Sequence, residues 1–186
     1  MAEFNTGKLS NPRTMTNDFE RLMLVHLDAA YSLAVGLTRD DAAAQDIVQD
    51  SYVRAFRAWR RFTPGNEKAW LLTIVRRQAL TWLKQRGLRH HVGLDDDGLS
   101  PADHGHLSVD GGQEAHIIAR QTSARVRSAV ASLAPAFREV IILKEFEDMA
   151  YKDIAQVLAV PVGTVMSRLS RARDLLRHLL IGDGHD

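Results

Sequence analysis

Thr164, Ser167, Arg168 and Arg171 stand three or four residues apart, so on a helix they stack along one side. Two hydroxyls and two guanidinium groups in such a row can bond to base edges in the major groove of DNA, or to phosphate oxygens. Val162, Val165, Met166, Leu169, Ala172 and Leu176 have the spacing of a buried stripe. The stretch PVGTVMSRLSRARDLLR, Pro161 to Arg177, therefore reads as an amphipathic helix with a core side and a polar side. Pro161 stands where a first helical residue should, because its missing N–H would be unpaired there anyway. An exposed helix face also carries arginine and serine merely to be solvated, so spacing alone leaves both readings open.

A second group is defined by charge. Between Ser51 and His91 the chain has ten Lys or Arg residues against Glu67 alone, a net of +9, although the whole chain carries only +1. Trp59, Phe62 and Trp70 are interleaved with those cations. Basic groups beside aromatic ones suit single-stranded nucleic acid, with its charged backbone and unstacked bases. Helical spacing makes Trp59 and Trp70 core residues first. From Val92 to His116 the sign reverses, with six acids and no Lys or Arg. Those acids could fold back over the basic segment, thread a basic channel in a partner, or only keep a spacer extended.

Enzymatic chemistry finds no comparable set of residues. His90, His91, His104, His106 and His116 crowd one stretch, but no rigid frame or ligand spacing accompanies them, and solvated polarity explains them more simply. There is no glycine-rich phosphate loop, nucleophile elbow or paired-carboxylate pocket, and no cysteine. The chain reads as non-enzymatic, without metal or cofactor. The absence of cysteine fits a reducing cytoplasm. No apolar run approaches the ~20 residues of a membrane span, and the polar start MAEFNTGKLSNPRT lacks a signal-peptide core.

The elements that must carry these residues are helices. At 186 residues, 45% hydrophobic and 25% charged, the chain has the composition of a globular protein of one domain or two small ones. Residues 1–15 read as a leader before a second Met. A first helix takes in Phe19, Leu22, Met23, Val25, Leu27, Ala30, Leu33 and Ala34. A second starts at Thr38 to Asp41, with Thr38 as its N-cap, and carries Ile47, Val48, Tyr52, Val53, Phe56 and Trp59. The Pro-Gly pair makes FTPGNE, Phe62 to Glu67, a loop, and a third long helix runs from about Lys68 to about Arg86. Glu114 to Leu133, Pro135 to Phe146, Tyr151 to Leu158 and Pro161 to Leu180 read as four more. No alternation supports a strand. The resulting expectation is an all-α protein of two small helical domains, 16–87 and 114–182, joined by a flexible acidic linker over 88–113.

YKDIAQVL, a turn at Ala159 and Val160, and PVGTVMSRL have helix-turn-helix proportions, with Ile154, Ala155 and Leu158 facing Val162, Val165 and Leu169. Repressors, response regulators and sigma factors share that motif. Residues 151–173, YKDIAQVLAVPVGTVMSRLSRAR, resemble region four of the extracytoplasmic-function sigma factors. DDAAAQDIVQDSYVRAFR resembles region two of the same family, and AWLLTIVRRQALTWLK the helix that follows it. Two motifs in the right order carry more weight than either alone, and the likeness spans roughly Phe19 to Leu180.

The resemblance implies a cytoplasmic sigma factor that binds core RNA polymerase and opens promoter DNA, and that an anti-sigma factor holds inactive, often near the membrane, without inserting into it. Asp41, Gln45, Asp46, Val48, Gln49 and Asp50 would meet the β′ coiled coil of polymerase, and region four would touch the β flap. Arg61, Phe62, Asn66, Lys68, Thr73, Arg76, Arg77 and Lys84 would serve the −10 element, Asn66 in a base-capturing loop. Lys152, Thr164, Ser167, Arg168, Arg171 and Arg173 would serve the −35 element. The chain departs from the family pattern at Asp50 (often Glu), Thr73 (often Arg), Arg77 (commonly Asn), Ala150 (often a capping Ser) and Ala159 (commonly Gly). A decoy that only binds an anti-sigma factor and an ordinary helix-turn-helix regulator are the competing readings. Arg168, Arg171 and the basic block count against the first, and the Gln-Asp helix with the basic, aromatic middle against the second.

Overall fold

The computed structural model describes residues 12–63, 65–91 and 124–182, all of them in helices or the turns between helices. In the first half, α1 (Pro12–Met23) passes through a 3₁₀ turn (Leu24–His26) into α2 (Leu27–Thr38), and α3 spans Asp41–Ala58. A second 3₁₀ turn (Trp59–Arg61) and the loop lead into α4 (Glu67–His91). In the second half, α5 covers 124–132 and α6 Pro135–Ile141. A π-helical turn (Ile142–Phe146), α7 (Tyr151–Leu158) and α8 (Val162–Gly182) complete the order.

The single first helix expected from Phe19 to Ala34 is two helices. Spacings of two residues at Met23, Val25 and Leu27 do not fit a 3.6-residue period. The 3₁₀ turn absorbs the mismatch by leaving Leu24, Val25 and Leu27 exposed, so that Phe19 and Met23 on one side and Ala30, Leu33 and Ala34 on the other all face the core. α1 also starts at Pro12, within the supposed leader, and Met15 packs against the core. The cap of α3 is Asp40 rather than Thr38. The Asp40 carboxylate accepts from the Ala43 N–H at 3.0 Å, while the buried Thr38 hydroxyl donates back to Ala34 O at 2.9 Å. Arg39 between them takes a left-handed φ of 57°. α4 continues four residues past the expected boundary at 87. The remainder of the expected acidic linker and the histidines at 104, 106 and 116 lie outside the described residues.

The aromatic residues of the basic block are largely structural. Phe19 meets Phe56 and Trp59 edge-on at 5.2 and 5.4 Å between centroids. Trp59 stacks on Phe62 at 4.9 Å, and Phe62 contacts Trp70 at 4.6 Å. The cluster anchors the loop before α4 to the end of α3.

The two halves share one continuous apolar core. Gly36 of α2 lies so close to the π-helical turn that a Cβ there would stand 2.0 Å from Ile142 Cδ1, so any larger residue would have to displace that side chain. Arg138 of α6 is 5% exposed, and donates to Gly36 O at 2.9 Å and to Ala131 O and Leu133 O at 2.7 Å each. Burial, and then the charge of Arg39, lowers its pKa below the ordinary arginine value. One guanidinium thus ties a corner of the second half to the backbone of the first.

Candidate polymerase and nucleic-acid interfaces

α3 divides cleanly into two faces. Ala43, Ala44, Ile47, Val48, Ser51 and Ala55 are buried, and Gln45, Asp46, Gln49, Asp50, Val53 and Arg54 are exposed. Val48, implied as a polymerase contact, points into the core at 7% exposure. The apolar group on the outer face is Val53, 44% exposed, one turn beyond Gln49 and Asp50. Asp41 is held within the chain: the Tyr31 hydroxyl donates to one carboxylate oxygen and Gln45 Nε2 to the other, at 3.0 Å for the latter. Burial, and then the bond to Asp41, pushes the Tyr31 phenol up to about 12. Asp46, Gln49 and Asp50 remain as an exposed acidic and amide patch around Val53. The alternation of faces in the sequence identified Val53 as helical, but only packing shows which apolar side chain is turned outward.

The residues implied for the −10 element, on α4 and on the turn and loop before it, divide into four groups. Asn66 and Thr73 serve the backbone: Asn66 Oδ1 accepts from the Ala69 N–H at 3.0 Å as the N-cap of α4, and the Thr73 hydroxyl donates to Ala69 O at 2.7 Å. Phe62 is half-buried between Trp59 and Trp70. Lys68 and Arg76 are engaged by the other half of the chain. Lys68 Nζ lies 3.0 Å from Glu147 Oε2 and donates to the Glu147 carbonyl at 2.8 Å. Arg76 Nε donates to Glu139 Oε2 at 2.6 Å and Nη2 to Oε1 at 3.4 Å, with Glu139 only 3% exposed. His26 lies beside the Lys68–Glu147 pair, and burial, then Lys68, lowers its pKa. Arg61, Arg77 and Lys84 are exposed. Neither Glu139 nor Glu147 stood out in the sequence, because nothing local marks an acid whose partner is 63 or 79 residues away.

In the second half Ser167 and Arg171 of the polar row are exposed and Thr164 and Arg168 half-buried. α7 ends at Ala159, held at a left-handed φ of 53°, and Val160 N–H bonds to Ala155 O at 3.1 Å. Ala150, the N-cap of α7, offers no side-chain acceptor, and Asp148 pairs with Lys144 rather than capping. α8 starts at Val162, with Pro161 at the cap, its carbonyl accepting from Thr164 and Val165 N–H. Ile154, Leu158, Val165, Leu169 and Ala172 are buried, whereas Val162 and Met166, assigned to the same stripe, are 41% and 54% exposed. A two-helix corner is too small to cover the first turn of α8 on that side. Thr164, Ser167, Arg168 and Arg171 lie on one side of α8, and the two arginines and the exposed Lys152 make no ion pair among the described residues. Arg173 does not join them. It lies about 200° around the helix from Arg171 and is bound to Glu145 through Nε at 3.0 Å and Nη2 at 2.7 Å. Among the described residues no group of His, Asp or Glu is placed to hold a metal, and no helix is long and apolar enough to cross a membrane.

Both halves match known modules. Residues 22–89 match the sigma-70 region 2 family and residues 123–176 the sigma-70 region 4 family. The RNA polymerase sigma-H factor of Pseudomonas aeruginosa is 31% identical over 162 residues, covering 85% of this chain and 83% of that protein. The ECF RNA polymerase sigma factor SigE of Mycolicibacterium smegmatis is also 31% identical, over 87% of this chain, which spans 61% of SigE's length. Among solved structures, the sigma factor RpoE of Bartonella quintana, in complex with the anti-sigma factor NepR, superposes with a TM-score of 0.68. It is 30% identical, over 88% of this chain and 97% of RpoE. CnrH, solved with the cytosolic domain of CnrY, gives a TM-score of 0.61 at 26% identity, over 94% of this chain and 92% of CnrH. The chain belongs to the extracytoplasmic-function sigma factors of the sigma-70 family, which are non-enzymatic transcription-initiation factors.

Proposed function

We propose that this chain directs core RNA polymerase to a restricted set of promoters, with each surface described above addressing one partner. The observation that carries the reading is the coexistence, on one chain, of the outward Gln49–Asp50–Val53 patch and the Arg168–Arg171 row, which makes no ion pair among the described residues. A regulator that only bound duplex DNA would need the second and have no use for the first.

In this reading Gln45, Asp46, Gln49, Asp50 and Val53 dock on the β′ coiled coil, the carboxylates meeting cations and Val53 an apolar contact at the centre. Arg168 and Arg171, with Thr164, Ser167 and Lys152, contact −35 duplex DNA, where a bidentate arginine can read guanine. Arg61, Arg77 and Lys84, joined by Lys68 and Arg76 once these are released, hold the backbone around the −10 element. The groove between Leu133, Phe137, Leu175 and Leu179 offers an apolar seat for the β flap. An anti-sigma factor is the natural antagonist, because the solved relative from Bartonella quintana was captured with one, and the chain acts in the cytoplasm, where polymerase is. Transcription reconstituted from purified core polymerase and a promoter library tests the reading: transcripts with discrete start sites should require this protein. Core polymerase binding without any directed transcript would reduce it to a decoy.

A further inference from the structure

The first two turns of α8 carry more than the polar row. Val162 and Met166, four residues apart, lie within about 40° of each other around the helix, and both are exposed. Resting on the reading that α8 meets −35 duplex DNA, we propose that these two side chains form a methyl-reading edge. They contact the C5-methyl of a thymine in the −35 element, and so set part of its preferred sequence beside the bases that the polar row addresses.

Three observations converge on this. The pair stands where a helix-turn-helix meets base edges, in the N-terminal turns of its second helix. The other exposed apolar residues of α8, Leu175, Leu179 and Ile181, lie more than two turns beyond Met166, so the pair is not one end of a continuous apolar face. Second, the pair borders the polar row, with only Gly163 between Met166 and Ser167 around the helix. A Cβ at Gly163 would meet nothing within 4 Å, so the chain's own packing makes no demand for glycine there. A bare first turn does let a base edge or a DNA strand come close to the helix backbone. Third, nothing among the described residues closes over the pair. Met166 rims an open groove with Tyr151, Ser170 and Arg173, and Arg173 is held to Glu145. The chemistry selects the base: thymine alone of the four shows a methyl group in the major groove. The unbranched thioether of Met166 adapts to such a surface. It has no acceptor for the amino group of cytosine, which would be left desolvated and unpaired against it.

The test uses the full chain assembled with core polymerase. That complex first selects a −35 duplex from a randomised library, and each thymine of the duplex is then replaced singly by deoxyuridine, which lacks only the C5-methyl. At one or more positions the parent should lose about fourfold in affinity, the effect of one buried methyl group. Met166→Ala and Val162→Ala should each shrink that ratio toward one, while Met166→Leu should keep it and Arg168→Ala should weaken both duplexes alike. At the same position the parent, but not Met166→Ala, should bind 5-methylcytosine more tightly than cytosine. Each ratio is internal to one protein sample, so a partly unfolded variant does not obscure it. A selected duplex in which no thymine methyl matters, or an unchanged ratio in both alanine variants, would overturn the methyl-reading edge. Failure of the parent complex to select any −35 sequence would instead overturn the reading that α8 meets −35 DNA, so the two failures are distinct.

Discussion

The polar row on α8 and the basic face of α4 contain the same kinds of side chain in opposite states. Arg168 and Arg171 are paired with nothing among the described residues, whereas Lys68 and Arg76 are bound to carboxylates and Asn66 and Thr73 to backbone. The difference follows from what each face packs against. α8 buries one stripe on α7 and leaves its polar side to solvent, while α4 is met by the second half of the chain along the side that carries Lys68 and Arg76. A face presented to solvent needs no rearrangement before it binds; a face held by carboxylates of the same chain does.

The largest effect expected on this comparison comes from Arg138→Ala. It would strand the carbonyls of Gly36, Ala131 and Leu133, cost about 3 kcal/mol or more of stability, and remove the bolt that holds α4 covered. Denaturant unfolding of the full chain measures it, and a loss below ~1 kcal/mol would mean that water replaces the guanidinium. Asp50→Arg comes next: reversing a charge on the outer face of α3 should cost several kcal/mol of core polymerase binding if the contact is desolvated, with circular dichroism unchanged. Undiminished capture of core polymerase would move the interface off this face.

The asymmetry itself is read by a pair of alanine variants. Arg168→Ala should weaken binding of −35 duplex by about 1–3 kcal/mol, equally in the free chain and with polymerase. Arg76→Ala should impair −10 engagement with polymerase yet leave free-chain affinity nearly unchanged, because Arg76 is already occupied there. Equal behaviour of the two variants in both settings would erase the distinction between the faces. The smallest effect belongs to the helix-turn-helix corner. Ala159→Gly should relieve the left-handed backbone and stabilise the chain by about 0.5–1 kcal/mol, seen as a raised Tm with DNA binding unaltered.

Periodicity made the helices legible, and the stripes on α3 and α7 put Ile47, Ile154 and Leu158 in the core where they are. The resemblance also singled out Ala159, where the family commonly has Gly, and the residue there takes a left-handed φ of 53°. What spacing could not show was competition between near-equivalent groups. Thr38 and Asp40 both suit a cap, and the one with an extended backbone, Asp40, takes it. Val48 and Val53 both lie on α3, but only the neighbours of the helix decide which is buried. Lys68 and Arg76, proposed for the −10 element, were legible as cations and illegible as occupied cations, because Glu147 and Glu139 reach them through tertiary packing.

The most direct test of the account is the distance between the halves in two states. Spin labels on the double variant Thr81→Cys/Ser170→Cys, at positions exposed on α4 and α8, should give one short, narrow distance in the free chain by pulsed dipolar spectroscopy. With core polymerase and promoter DNA that distance should lengthen by at least ~20 Å, as two promoter elements about 85 Å apart require of a molecule this small. The same narrow distance in both states would contradict the account, as would a broad distribution in the free chain.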